Sequence, residues 1–366
     1  MSFTWEEIDQ DWFRGEQLAI PRDEVLESFN RVANTFGRDW VEASRIQDQT
    51  VVRGTSPTLR VVMLGQRLVS LGNPPGAGRL LGKMQNGSSD ALAELSAIHM
   101  VRSGVDNVDL ELEPAVTVKG RSRLSDFRVR RENQDWLYVE VTQPGTSDGQ
   151  VDVRQGLKRL AGLAADCGGS FTLEVFLLRE PTIEEVEAIA SEILSRHSAA
   201  GTGETNLPDD LGTLYWNRGQ PGEVTVEDHD APYTPRLGMA LLAERNGNRR
   251  HISVRWPFTD DRAAKFIQLE AAQLPTDAPG LIMIQTANAV GAMHAWEPLI
   301  QRRFQPTINT RISAVCLYTS NQRATSSGTT WTLEAKLIIN PHARFALPAW
   351  VADQLLRFSL TERDLG

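Results

Sequence analysis

The chain has 366 residues, room for about two to two and a half domains at the usual ~150 residues each. Its 41% hydrophobic and 23% charged content excludes global disorder and a collagen-like or disulfide-stapled scaffold. The net charge of −9 argues against a general polyanion binder, although it does not describe where the charge lies.

No run approaches the roughly 20 apolar residues of a membrane-spanning helix, so no membrane partner is expected. The first ten residues carry Trp5, Glu6, Glu7 and Asp9 where a signal peptide has a basic start and an apolar run. Cys167 and Cys316 are the two cysteines, with no CxxC spacing. Together these features predict a cytoplasmic protein.

In chain order, Pro21 to Arg45 reads as a helix, with Val25, Phe29, Val32, Phe36 and Trp40 at three- and four-residue spacing. An apolar stretch, Leu59 to Leu71, follows the Ser56-Pro57 break, and residues 72–78 form a Gly/Pro loop. Residues 1–86 read as a helical N-terminal region. Asp90 to Ser103 is a helix, capped by Ser88 or Ser89 and ended by Gly104. Three strands follow, Val108–Val118, Leu124–Arg130 and Trp136–Thr142. A helix from Asp148, a strand Phe171–Leu178 and a helix Pro181–His197 complete a central region, residues 87–198, with mixed strand directions. Ser198 to Asp210 is small and polar and reads as a linker. Residues 211–366 read as a further α/β C-terminal domain. Its strands include Leu281–Thr286, Arg311–Thr319 and Trp331–Ile339, with helices at Asp260–Leu274, Trp296–Phe304 and Ala349–Phe358.

Three carboxylates stand out in the central region: Glu94 mid-helix, Asp126 on the second strand and Glu140 on the third. A carboxylate beside Trp136-Leu137-Tyr138-Val139 is costly to bury unless it is paired or bound to a cation. Two carboxylates on neighbouring strands and one on the flanking helix make an oxygen-rich pocket that suits Mg²⁺ or Mn²⁺. Walker A, HExxH and GxSxG motifs are absent.

The Glu94 helix, Ser125-Asp126 and the Glu140-Val141-Thr142 string resemble the PD-(D/E)XK nuclease superfamily. That resemblance implies an α-β-β-β-α-β core over about residues 88–180. It implies metal-binding carboxylates at Glu94, Asp126 and Glu140, and Mg²⁺-dependent hydrolysis of DNA by an activated water. Ser125 stands where the family has proline. Thr142 stands where it has its lysine; a hydroxyl orients water but supplies no positive charge. The chain has five lysines. Lys158, on the helix after the third strand, is the first candidate for a displaced lysine, and Lys119 the second.

From Lys119 to Arg131 the chain carries six basic residues in thirteen, including Arg121, Arg123, Arg128 and Arg130. Set beside a metal site, Lys119 and these four arginines suit contact with a nucleic-acid backbone. The same pattern also suits a solvated edge strand protected against aggregation. The alternative function is a catalytically inactive module of the same fold that binds nucleic acid or a partner protein. A structural or assembly subunit, with a protein partner or a second copy of the chain, stands beside both.

Overall fold

Helix α1 (Trp5–Ile8) begins at a capping box in which Thr4 and Glu7 satisfy each other's backbone N–H groups. The run expected over Pro21–Arg45 forms two helices. Helix α2 (Arg22–Phe36) buries Val25, Phe29, Val32 and Phe36, and α3 (Arg38–Glu42) follows Gly37, whose φ of 94° ends the first helix. Helix α4 (Pro57–Leu71) packs on α2, and α5 (Ala77–Gln85) and α6 (Ser89–Arg102) follow. Helix α6 is buried nearly all round, because α4, α5 and the sheet cover it. Its N-terminus is capped by Ser88, whose hydroxyl accepts from Ala91 N–H at 3.3 Å. The computed structural model describes residues 2–13, 17–43, 57–118, 120–144, 169–179, 181–196, 202–218, 236–245, 248–257, 262–286 and 290–359.

Two of the three expected strands are broken. The first divides at Glu113 (φ 49°) and Pro114 into β1 (Val108–Leu112) and β2 (Ala115–Val118). The second divides at Ser125-Asp126 into β3 (Arg121–Leu124) and β4 (Phe127–Arg131). Glu113 N–H donates to Asp126 O at 2.8 Å and Ser125 N–H to Pro114 O at 3.1 Å. These bonds close the neck of a β2–β3 hairpin that leaves the main sheet. Asp126 is therefore at a bend entering β4, not within a strand. The third strand is β5 (Leu137–Thr142).

The chain divides into two compact units, Met1–Pro144 with Arg262–Gly366, and Gly145–Asp261. This differs from the expected blocks 1–86, 87–198 and 211–366. In the second unit, β6 (Phe171–Leu177) is followed by α7 (Ile183–Arg196), β7 (Thr202–Asn206), β8 (Gly212–Arg218), β9 (Arg236–Arg245) and β10 (Asn248–Pro257). These strands form their own sheet, ordered β7-β8-β6-β10-β9. Strand β7 occupies the stretch expected to be a linker. The helix expected from Asp148 lies outside the described residues.

The first unit resumes with α8 (Ala263–Ala271), β11 (Gly280–Gln285), α9 (Val290–Gln301), β12 (Ile312–Thr325), β13 (Gly328–Ile339) and α10 (Ala349–Leu356). Its sheet is ordered β1-β4-β5-β11-β12-β13. Strands β1, β4 and β5 are antiparallel neighbours; β11 lies parallel to β5, with Gly280 opposite Tyr138 and Ile284 opposite Thr142. Phe171–Leu178, expected as the fourth strand of the central region, instead pairs with β8 and β10 in the other unit. Leu281-Ile282-Met283-Ile284 is buried throughout, as a parallel strand covered on both faces requires. The elements of the main sheet and its covering helices run α6, β1, β4, β5, α8 and β11 in chain order, with the β2–β3 hairpin between β1 and β4 and residues 145–261 between β5 and α8. Among the described residues no helix is long and apolar enough to cross a membrane.

Candidate functional site

Strand β5 has helices on both sides, since α6 and α8 each pack on it. Its side chains alternate: Leu137 and Val139 join the core that includes Leu95 and Ile98 of α6, which sends Glu140 to the other face. Glu140 is 1% exposed and Glu94, on α6, is 6% exposed. Asp126 enters at the bend before β4, where its Oδ2 accepts the Val141 N–H at 2.7 Å. That bond ties the bend to β5, so the neck of the β2–β3 hairpin delivers Asp126 to the sheet.

All three expected carboxylates are brought close, as two pairs that share Asp126. Glu94 feels Asp126 and Glu113, while Glu140 feels Asp126 and Glu270. Burial pushes the Glu94 carboxyl up to about 8, with the Asp126 charge adding to the rise. Burial and the same neighbour push Glu140 up to about 9, against opposing contributions from the Ser125 hydroxyl and Asp126 N–H. Asp126 rises to about 6, mainly through burial; the Val141 N–H and Lys83 hold it lower than its neighbours. Among the described residues, Glu140 Oε1 is buried without a hydrogen-bond partner, as is Gln143 Oε1 close by in the chain.

These properties fit a small hard cation. The donors are all oxygens, the negative charge is under-compensated, and one carboxylate oxygen lacks a hydrogen-bond partner. Among the described residues, no group of three or more His, Cys, Asp or Glu side chains is placed to hold a metal by itself. Glu94 and Glu140 each feel Asp126, while the other named acidic neighbour is Glu113 for Glu94 and Glu270 for Glu140. A pair of carboxylates remains sufficient for Mg²⁺, which keeps several waters and completes its shell with substrate oxygens.

Lys83 was not expected here. It extends from α5, bonds Glu113 Oε1 at 2.9 Å, and acts electrostatically on Glu94 and Asp126. The Glu113 bond and these acids raise the Lys83 ammonium above its ordinary value. Arg79, one turn earlier, also bonds Glu113. Lys158 and Lys119, the lysines singled out from sequence, lie outside the described residues. The scarcity of lysine was a usable signal for Lys83, but the resemblance directs attention first to Lys158, downstream of Glu140, and then to Lys119. Glu270 of α8 was missed because its helix follows an insertion. Its carboxyl is raised by burial and receives a hydrogen bond from Thr142. Thr142 therefore faces Glu270 in place of a motif lysine.

The basic segment separates into two groups. Arg128 bonds Glu111 at 2.9 Å and stacks over Trp136 at 4.4 Å; Arg130 bonds Asp109 at 2.9 Å and stacks over the same ring at 4.4 Å. The register explains both pairs, since Arg128 opposes Glu111 and Arg130 opposes Asp109 across β1 and β4. Arg121 and Arg123, on β3, are exposed and have no carboxylate partner among the described residues.

Comparison with protein-family models, curated proteins and solved structures finds no match. The site's chemistry therefore rests on its own geometry.

Proposed function

We propose that the chain is a metal-dependent phosphodiesterase of PD-(D/E)XK-like design that acts on nucleic acid, DNA in the first instance, in the cytoplasm. The observation that carries this reading is the pairing of half-buried Asp126 with buried Glu140, with their raised carboxyls and a Glu140 Oε1 that has no hydrogen-bond partner among the described residues. Asp126 and Glu140 would hold Mg²⁺ or Mn²⁺, which supplies an activated water and neutralises charge on the phosphate. The Val141 N–H fixes the Asp126 carboxylate in place. Glu94 also feels Asp126, and its carboxyl, raised to about 8, can exchange a proton near neutral pH. Lys83 supplies positive charge to Glu94 and Asp126, the service that Thr142 cannot provide.

The test incubates the chain with supercoiled and linear DNA and Mg²⁺ or Mn²⁺. The expected result is cleavage that chelator abolishes and that Asp126→Asn and Glu140→Gln each reduce by at least about a hundredfold. Cleavage that survives both substitutions contradicts the proposal. Two observations favour a non-catalytic module instead: Thr142 occupies the lysine position, and Lys83 is held by Glu113. That reading predicts nucleic-acid or protein binding with no cleavage under any metal.

A further inference from the structure

We infer that a groove between β3 and α8 binds the phosphodiester backbone of a single nucleic-acid strand, an inference that rests on the phosphodiesterase reading for its choice of ligand. The groove has a volume of about 450 Å³ and is lined by Arg121, Arg123 and Arg311, with the amides of Gln268 and Asn309 beside them. Among the described residues that line it, none is acidic. In a chain of net charge −9, three arginines lining one groove, with no carboxylate among its described lining residues, form a local site for an anion.

The hairpin makes this possible. Strand β3 pairs with β2, with Arg121 opposite Val118 and Arg123 opposite Val116. Val116 and Val118 are buried, so the arginine stems lie over apolar residues while their heads reach solvent. Arg311 enters from the loop before β12 and is steadied by donating to Leu274 O at 3.2 Å. Unlike Arg128 and Arg130, Arg121 and Arg123 have no ion pair among the described residues to break before binding a phosphate.

Position selects the ligand. Arg123 is three residues before Asp126, and Gln268 is two residues before Glu270 on α8. Both walls of the groove thus run on to residues that surround the acidic site. A cavity of this volume is the size of a small-molecule pocket, which suits a short run of one strand rather than a duplex.

The experiment measures fluorescence anisotropy of labelled oligothymidylate and oligouridylate with the full chain in chelator, across a salt series. Arg121→Ala/Arg123→Ala should weaken binding at least about tenfold and flatten the salt dependence by about 0.7 per lost phosphate contact. Arg311→Gln should add to the loss, and Arg128→Ala/Arg130→Ala should change affinity less than about twofold. Arg121 and Arg123 are exposed, so melting should be unaffected. Unchanged affinity in Arg121→Ala/Arg123→Ala overturns the groove, as does equal displacement of the strand by polyglutamate at matched charge. Cleavage that persists at full rate in that variant overturns the groove alone. Groove-dependent binding by a chain that cleaves nothing supports the groove and contradicts the phosphodiesterase reading alone.

Discussion

A carboxylate with 1% exposure and one oxygen lacking a hydrogen-bond partner ionises only at a cost, and Glu140 is in that position. In metal-free protein its carboxyl is raised from an ordinary 4.5 to about 9, and that of Glu94 from 4.5 to about 8. Between those limits the folded chain holds more protons than the unfolded chain. The contribution of these two groups to stability is therefore full below about 4.5 and falls as pH rises toward 9. Urea midpoints measured in chelator should decline from pH 5 to pH 9, and Glu140→Gln should flatten the decline because an amide has no proton to lose. Superimposable pH profiles for the two proteins would contradict this placement of Glu140. Lys83 acts in the opposite direction on Glu94 and Asp126, pulling both down.

At the scale of elements, close helix packing decides what the site can be built on. Helix α6 carries Glu94 and is held by α4, which in turn crosses α2 at Gly65. A Cβ at Gly65 would lie 2.6 Å from both Ser28 Cα and Ser28 Cβ. Helix propensity alone favours Ala over Gly by about 1 kcal/mol. The contact reverses that preference: Gly65→Ala should destabilise the chain by about 1–3 kcal/mol, read from denaturant midpoints. A neutral or stabilised variant would mean that the two helices part easily. The helices themselves were legible, because Val25, Phe29 and Val32 repeat at helical spacing. The breaks at Glu113-Pro114 and Ser125-Asp126 were not. The Leu124–Arg130 stretch alternates as well as any strand, and only the bonds between Glu113, Asp126, Ser125 and Pro114 show why the chain leaves the sheet there. The arginine segment misled for the same reason. The basic run placed Arg128 and Arg130 among the residues suited to a nucleic-acid backbone, whereas β1 supplies Glu111 and Asp109 opposite them.

At the scale of the whole molecule, the candidate site is gathered from distant parts of the chain. Lys83, Glu94, Asp126 and Glu140 precede residue 145, while Glu270 follows residue 261, so one wall of the site comes from beyond the inserted unit. Sequence order suggested that Phe171–Leu178 completes the sheet, because it is the next apolar run after Glu140. Nothing local distinguishes it from Leu281–Ile284, and only the pairing of β5 with β11 does so. The three carboxylates were legible because buried acids beside apolar strands are rare and costly. Their division into two pairs was not, since it depends on which faces of β5 the helices cover.

The central claim is that Asp126 and Glu140 form a cation site. Its most direct measurement is calorimetric titration of the full chain with Mn²⁺. Saturable binding of about one ion is expected, weakened at least about tenfold by Asp126→Asn and by Glu140→Gln, with proton release as the raised carboxyls ionise. No binding, or binding unchanged in both variants, would contradict it.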